Sequence, residues 1–223
     1  MKKVSLLSLL AVLAVSTAAQ ANVEDPLYAP AEGKFYSKTA VNKAKSVYNV
    51  SEEIGYGISN KFAIAGGIDY QNDTDTDADG FDTYTIGGKY KISNGFIVYA
   101  DYTGTIDEDK FGDVSIIDVG ALFGKQTAKY TLAGKIELDH VDSDVADSNN
   151  VVLGAKGAYN FDDRVSGSLG LDYTFLEDAE DDSLVLTAQI NYQKGGLWSL
   201  YYSTELIADG EDDSIGLKYG IQF

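Results

Sequence analysis

Apolar and polar residues alternate with a period of two along most of this chain. At the end, Ile215, Leu217, Tyr219, Ile221 and Phe223 alternate with Gly216, Lys218, Gly220 and Gln222. Successive side chains of a strand point to opposite faces, so this segment is a strand with one apolar face. In the same way Trp198, Leu200, Tyr202, Thr204 and Leu206 oppose Ser199, Tyr201, Ser203 and Glu205, and Leu184, Leu186, Ala188, Ile190 and Tyr192 oppose Thr187, Gln189 and Asn191. Further back, Leu169, Leu171, Tyr173 and Phe175 alternate with Ser168, Gly170, Asp172 and Thr174, while Tyr130, Leu132, Ile136 and Leu138 alternate with Lys129, Thr131, Lys135, Glu137 and Asp139. These runs reach about ten to thirteen residues, whereas strands of globular proteins are mostly about 5 to 6. Tilted strands of about 9 to 11 residues are what crossing a bilayer requires, with the apolar face toward lipid and the polar face inward.

The connections alternate between short and long. Short ones fall at 59–61, 93–95, 125–127, 162–163 and 194–196, and long ones at 71–82, 107–113, 139–150, 177–182 and 208–213. The long segments hold well over half of the 35 acidic residues, which predicts one strongly negative rim. Tyr56, Phe62, Tyr90, Phe96, Phe123, Tyr130, Tyr159, Phe161, Tyr192 and Trp198 lie near the short turns, and Tyr70, Tyr84, Tyr102, Tyr173 and Phe175 near the long loops. Two aromatic belts flanking an apolar band are the expected marking of the two membrane interfaces. Eleven strands follow from Tyr48 onward. Residues 34–42, with Phe35, Thr39 and Val41 on one side, supply a twelfth, although the link at 43–47 is basic and lacks the usual turn residues. The alternative is a 10-strand barrel with an N-terminal plug.

Composition agrees with many strands and turns: 23 Gly, 16 Tyr, and only two Pro, Pro26 and Pro30, both ahead of the strands. A net charge of −18 argues against nucleic acid as a partner. The chain has no cysteine, which excludes disulfides, thiolate metal sites and thiol redox chemistry. At the start, Lys2 and Lys3 precede an apolar run from Leu6 to Val15, followed by Ala19-Gln20-Ala21. That is an export-signal pattern, too short to span a membrane as a helix, and it predicts cleavage near Ala21. The expected organisation is a signal peptide over 1–21, a short periplasmic segment over 22–33 and a barrel over 34–223.

With these features the chain resembles the bacterial outer-membrane β-barrel proteins, small porin-like barrels included. The resemblance covers nearly all of the mature sequence. Leu217, Tyr219, Ile221 and Phe223 are similar to that family's C-terminal assembly signal, which implies insertion by the barrel-assembly machinery. It also implies an all-β, single transmembrane antiparallel up-and-down barrel of about twelve strands, with short periplasmic turns and longer acidic extracellular loops. Its surroundings would be outer-membrane lipid and lipopolysaccharide. The family hosts pores, enzymes, adhesins and structural barrels, so the resemblance leaves function to the side chains.

Three sets of residues carry candidate chemistry. The face predicted to line the lumen holds Glu53, Asp69, Lys89, Lys91, Asp101, Asp118, Lys129, Lys135, Glu137, Asp139, Lys156, Asp172, Glu205 and Lys218. Both signs are present, so these residues read either as an internal ion-pair network or as the walls of a hydrated pore. Asp75, Asp77 and Asp79, with Gly80, match the first half of a calcium loop. Its twelfth position is Ile86 rather than a bidentate Glu, so loose divalent binding is all it suggests. His140, the only histidine, lies near Ser143 and Ser148, but no patterned serine with an orienting carboxylate accompanies it. The sequence therefore predicts a passive pore for small solutes, biased toward cations or neutral molecules by its acidic rim. It would have no catalytic residues and no cofactor. A nonconducting structural or adhesive barrel is the second reading, and a lipid hydrolase the third.

Overall fold

The computed structural model describes residues 23–76, 79–144, 147–177, 182–207 and 213–223. Twelve strands follow in chain order: β1 Phe35–Ala44, β2 Val47–Gly57, β3 Phe62–Asp73, β4 Asp79–Ser93, β5 Phe96–Thr105, β6 Val114–Gln126, β7 Tyr130–Ser143, β8 Ser148–Asn160, β9 Val165–Phe175, β10 Ser183–Gln193, β11 Leu197–Glu205 and β12 Ser214–Gln222. A single-turn helix, α1 Glu108–Phe111, sits in the β5–β6 loop. Each strand pairs antiparallel with its sequence neighbours, and β1 pairs with β12, so the sheet closes into a barrel without a free edge. At the seam Phe35 and Phe223 exchange backbone hydrogen bonds of 2.9 Å, and their rings stack with centroids 5.9 Å apart.

The first hairpin is present in this twelve-strand closure, and the ten-strand alternative is not what forms. Its turn lacks glycine, and Lys45 instead takes φ 51°, the left-handed conformation that a tight turn between twisted strands demands. Several strands run further into the predicted loops than the alternation indicates; β4 begins at Asp79 and β7 continues to Ser143. Beyond the bilayer both faces of a strand meet water, so the alternation fades while the backbone ladder continues.

The apolar faces point outward. Ile54, Ile64, Ile86, Leu132, Leu169 and Leu217 are all exposed on the outer wall, the face that a membrane barrel turns to lipid. Polar residues of the opposite parity, including Ser166, Ser168, Gln189, Asn191 and Ser199, are buried inside.

Candidate functional site

Among the described residues, most charged side chains of the strands gather on the inner wall. Lys38, Lys89, Lys156 and Lys218 project from β1, β4, β8 and β12 in the half of the lumen nearer the short turns. Asp69, Asp101, Asp118, Glu137, Asp139 and Asp172 lie in the half nearer the long loops. Charge is thus graded along the axis, with Glu53 opposite Lys38 and Lys135 beside Glu137 and Asp172 as the exceptions. Asp101, Asp118 and Asp139 stand directly opposite one another on β5, β6 and β7, forming a carboxylate row across three strands.

Ion pairs and hydroxyl groups tie neighbouring strands together along the inner wall. Lys38 Nζ lies 3.4 Å from Glu53 Oε1, which also accepts a 2.5 Å hydrogen bond from the Tyr36 hydroxyl. Lys135 Nζ lies 2.9 Å from Glu137 and 3.6 Å from Asp172. The second contact reaches over Gly154 of the intervening β8, where a Cβ would collide with the Asp172 carboxylate and crowd Lys135. The Tyr99 hydroxyl donates to Glu137, and its ring covers Gly120 as that of Tyr36 covers Gly55.

Other predicted positions fall elsewhere. Lys129 is exposed in the β6–β7 turn, off the wall, because β7 begins one residue later. Lys91 lies near the short-turn end of β4, and Glu205 ends β11 at the opposite rim, accepting from the Ser183 hydroxyl at 2.6 Å and the Leu184 amide at 2.7 Å. Asp77 lies outside the described residues. Asp75 uses its backbone amide on Asp73, and the Asp79 carboxylate accepts from the Tyr70 hydroxyl; among the described residues no three acids or histidines cluster to hold a metal. His140 Nδ1 lies 3.0 Å from Asn149 Oδ1, on the outer face near the long-loop rim. Leu217, Tyr219 and Ile221 share the outer parity of β12, with Phe223 at the seam.

Sequence patterning missed the N-terminal segment's place. Residues 23–32 run across the lumen at its short-turn end, and Val23 packs with Tyr36 and Leu197 in a small buried cluster. The Glu24 side chain is 8% exposed, with Oε2 3.4 Å from Lys218 Nζ and 3.3 Å from the donating Gln189 amide. Lys156 Nζ donates to the Glu24 carbonyl at 3.4 Å. Across the ring, Asp25 Oδ2 accepts from Thr131 at 2.6 Å and from Gln126 at 3.0 Å. Tyr28 packs edge-on against Tyr36, centroids 5.6 Å apart, and Glu32 bridges Gly57 of β2. Burial works against ionisation of Glu24, but Lys38, Lys218 and Lys156 outweigh it and hold the carboxyl below its ordinary value. A polar cavity of about 230 Å³ remains between Asp25 and the β6–β7 and β8–β9 turns, with Arg164 on its wall. No periodicity marks 23–32, because the segment is neither helix nor strand, and Lys38 was missed because β1 alternates weakly.

No protein-family profile and no curated protein sequence matches the chain. Solved structures do match in fold. The NanC porin aligns with TM-score 0.59 at 9% identity, covering 85% of this chain and 98% of that one. A KdgM porin in complex with disordered oligogalacturonate gives 0.56 at 9% identity, covering 84% and 98%. The β domain of the Bordetella autotransporter BrkA gives 0.53 at 12% identity, covering 87% and 100%. At such identities the likeness is one of fold: a small closed outer-membrane barrel architecture shared by porins and an autotransporter domain.

Proposed function

We propose that the protein is a small porin-like channel of the bacterial outer membrane. Hydrophilic solutes would diffuse passively through its lumen, with the long acidic loops outward and the N-terminal segment in the periplasmic mouth. The observation that carries this reading is the carboxylate row Asp101, Asp118 and Asp139 on the inner wall, above the lysines. Three carboxyls side by side on the inner wall repel one another more than the nearby Lys89 and Lys135 offset, and hydration of the lumen would relieve that repulsion. With the acidic loops they favour cations or neutral solutes at the entrance. The oligogalacturonate in the KdgM complex is an anion, a class of solute that this chain's acidic entrance would disfavour. Single-channel recording of the refolded protein across a salt gradient tests the reading. Stable steps with a cation-selective reversal potential support it, and Asp118→Asn with Asp139→Asn should move that potential toward zero. An anion-selective pore would refute the bias.

A second reading, a nonconducting structural or surface barrel, is favoured by one feature, the N-terminal segment lying across the lumen. Silent insertion of the full chain, unrelieved by removing residues 23–32, would support it instead.

A further inference from the structure

Glu52 is on the wrong face for a soluble side chain. It belongs to β2, where Tyr48, Ile54 and Tyr56 share its parity, and it stands opposite Thr39 of β1 and Ile68 of β3. Ile54 and Ile68 are exposed outward, whereas the adjacent Glu53 points inward to Lys38 and Tyr36. Tyr48 and Tyr56 mark the two aromatic girdles on this strand, and Glu52 lies midway between them. Eight residues of tilted strand rise about 20 Å, so Glu52 lies about 10 Å from either interface, at the centre of the apolar band. Among the described residues it is the only carboxyl or amino side chain on the outer wall between the girdles.

Two hydroxyls of β1 accompany it. Ser37 Oγ donates to Glu52 Oε1 at 2.6 Å, and the Thr39 hydroxyl donates to Oε2. Diagonal to Glu52, Gly66 of β3 presents no side chain on the same face, leaving Glu52 and Thr39 in a low polar spot among taller isoleucines, with Ser37 buried behind them. A carboxyl has room for more hydrogen bonds than these two, and lipid tails supply none. Polar groups at this depth are satisfied by protein.

We propose that this patch is a contact between two copies of the chain within the membrane. Its chemistry is self-complementary, as a two-fold contact requires. The Glu52 carboxyl and the Thr39 hydroxyl, each able to donate or accept, meet the same two groups across the axis, the buried Ser37 holds the carboxyl from behind, and the adjoining Gly66 lets the walls approach. This goes beyond the pore reading and stands independently of it, since association is measured without conductance.

The absence of cysteine in the chain makes the test direct. Val41→Cys places a thiol on the outer face of β1, close above Glu52, and Leu153→Cys places one on β8, diametrically opposite in the ring. The refolded mature protein, alone in phosphatidylcholine vesicles, is oxidised with copper phenanthroline. Disulfide-linked pairs should form through Val41→Cys and not through Leu153→Cys. Adding Glu52→Leu should lower the yield about tenfold, the factor expected for hydrogen bonds between membrane segments, while Glu52→Gln should retain most of it. Equal yields at the two sites, or a yield indifferent to Glu52→Leu, would overturn the proposal. Folding of each variant is verified by heat-modifiable mobility, and Ser37→Ala with Thr39→Ala, which leaves Glu52 in place, serves as the second test and should also lower the yield.

Discussion

Glu24→Gln tests the hold of the N-terminal segment on the lumen. In the structure the Glu24 side chain is 8% exposed and meets Lys218, whose own side chain is 29% exposed, while Lys156 and Lys38 contribute from the same side. Removing one partner of a fully buried ion pair costs about 3 to 5 kcal/mol. Lys218 keeps contact with water, and glutamine retains shape and some hydrogen bonding, which brings the expected loss to about 2 kcal/mol. That corresponds to a shift of about thirtyfold in the ratio of docked to released segment. The assay is single-channel recording in planar bilayers at neutral pH, with a barrel lacking residues 23–32 defining the fully open level. Wild-type channels should dwell mainly at a reduced level, and Glu24→Gln channels should spend far more time at the open one. If the deletion opens the pore but Glu24→Gln behaves as wild type, Glu24 is not the latch and the energetic argument fails. If the deletion leaves conductance unchanged, the segment does not obstruct the lumen.

Acidification should act through the same group. The carboxyl is held below its ordinary value of 4.5 in the docked state, so its contribution is complete above that pH and is lost as pH falls through the lowered value. Open-level dwell should therefore rise below about pH 4.5 in wild type, and a Glu24→Gln channel lacking that acid step is the check. Gly120→Val puts a side chain where the Tyr99 ring lies and should force the ring off Glu137; a destabilisation of about 1 to 3 kcal/mol in urea unfolding from vesicles is expected. A change under about 0.5 kcal/mol would mean that the ring finds another seat. Trp198, the only tryptophan, is 51% exposed on the outer wall near the short turns. Its fluorescence should be quenched more by lipids brominated near the headgroup than by lipids brominated at mid-chain, and no quenching by either would place it away from lipid.

The architecture was legible along the chain because lipid on one side and a polar lumen on the other impose a strict two-residue period. Leu184 to Tyr192 or Ile215 to Phe223 show this without any tertiary knowledge. The inner wall was largely legible for the same reason, since parity alone assigns Asp101, Asp118, Lys156 or Lys218 to one face. Parity also contained the anomaly at Glu52, which sits in phase with Tyr48 and Tyr56, but a run of two glutamates in a weakly alternating hairpin conceals it.

Strand spacing, the acidic loops and every hairpin but the first came from the sequence, because each rests on local periodicity and composition. Three features needed the closed structure. The register between strands lines up Asp101, Asp118 and Asp139 and lets Lys135 reach Asp172 across Gly154. Closure through β1 and β12 sets Lys38 and Lys218 on neighbouring strands, where both act on Glu24. The path of residues 23–32 depends on side chains from distant strands, among them Gln126, Thr131, Gln189 and Lys218, which meet only when the ring is complete. Such contacts join residues more than a hundred positions apart, and no local pattern in the chain encodes them.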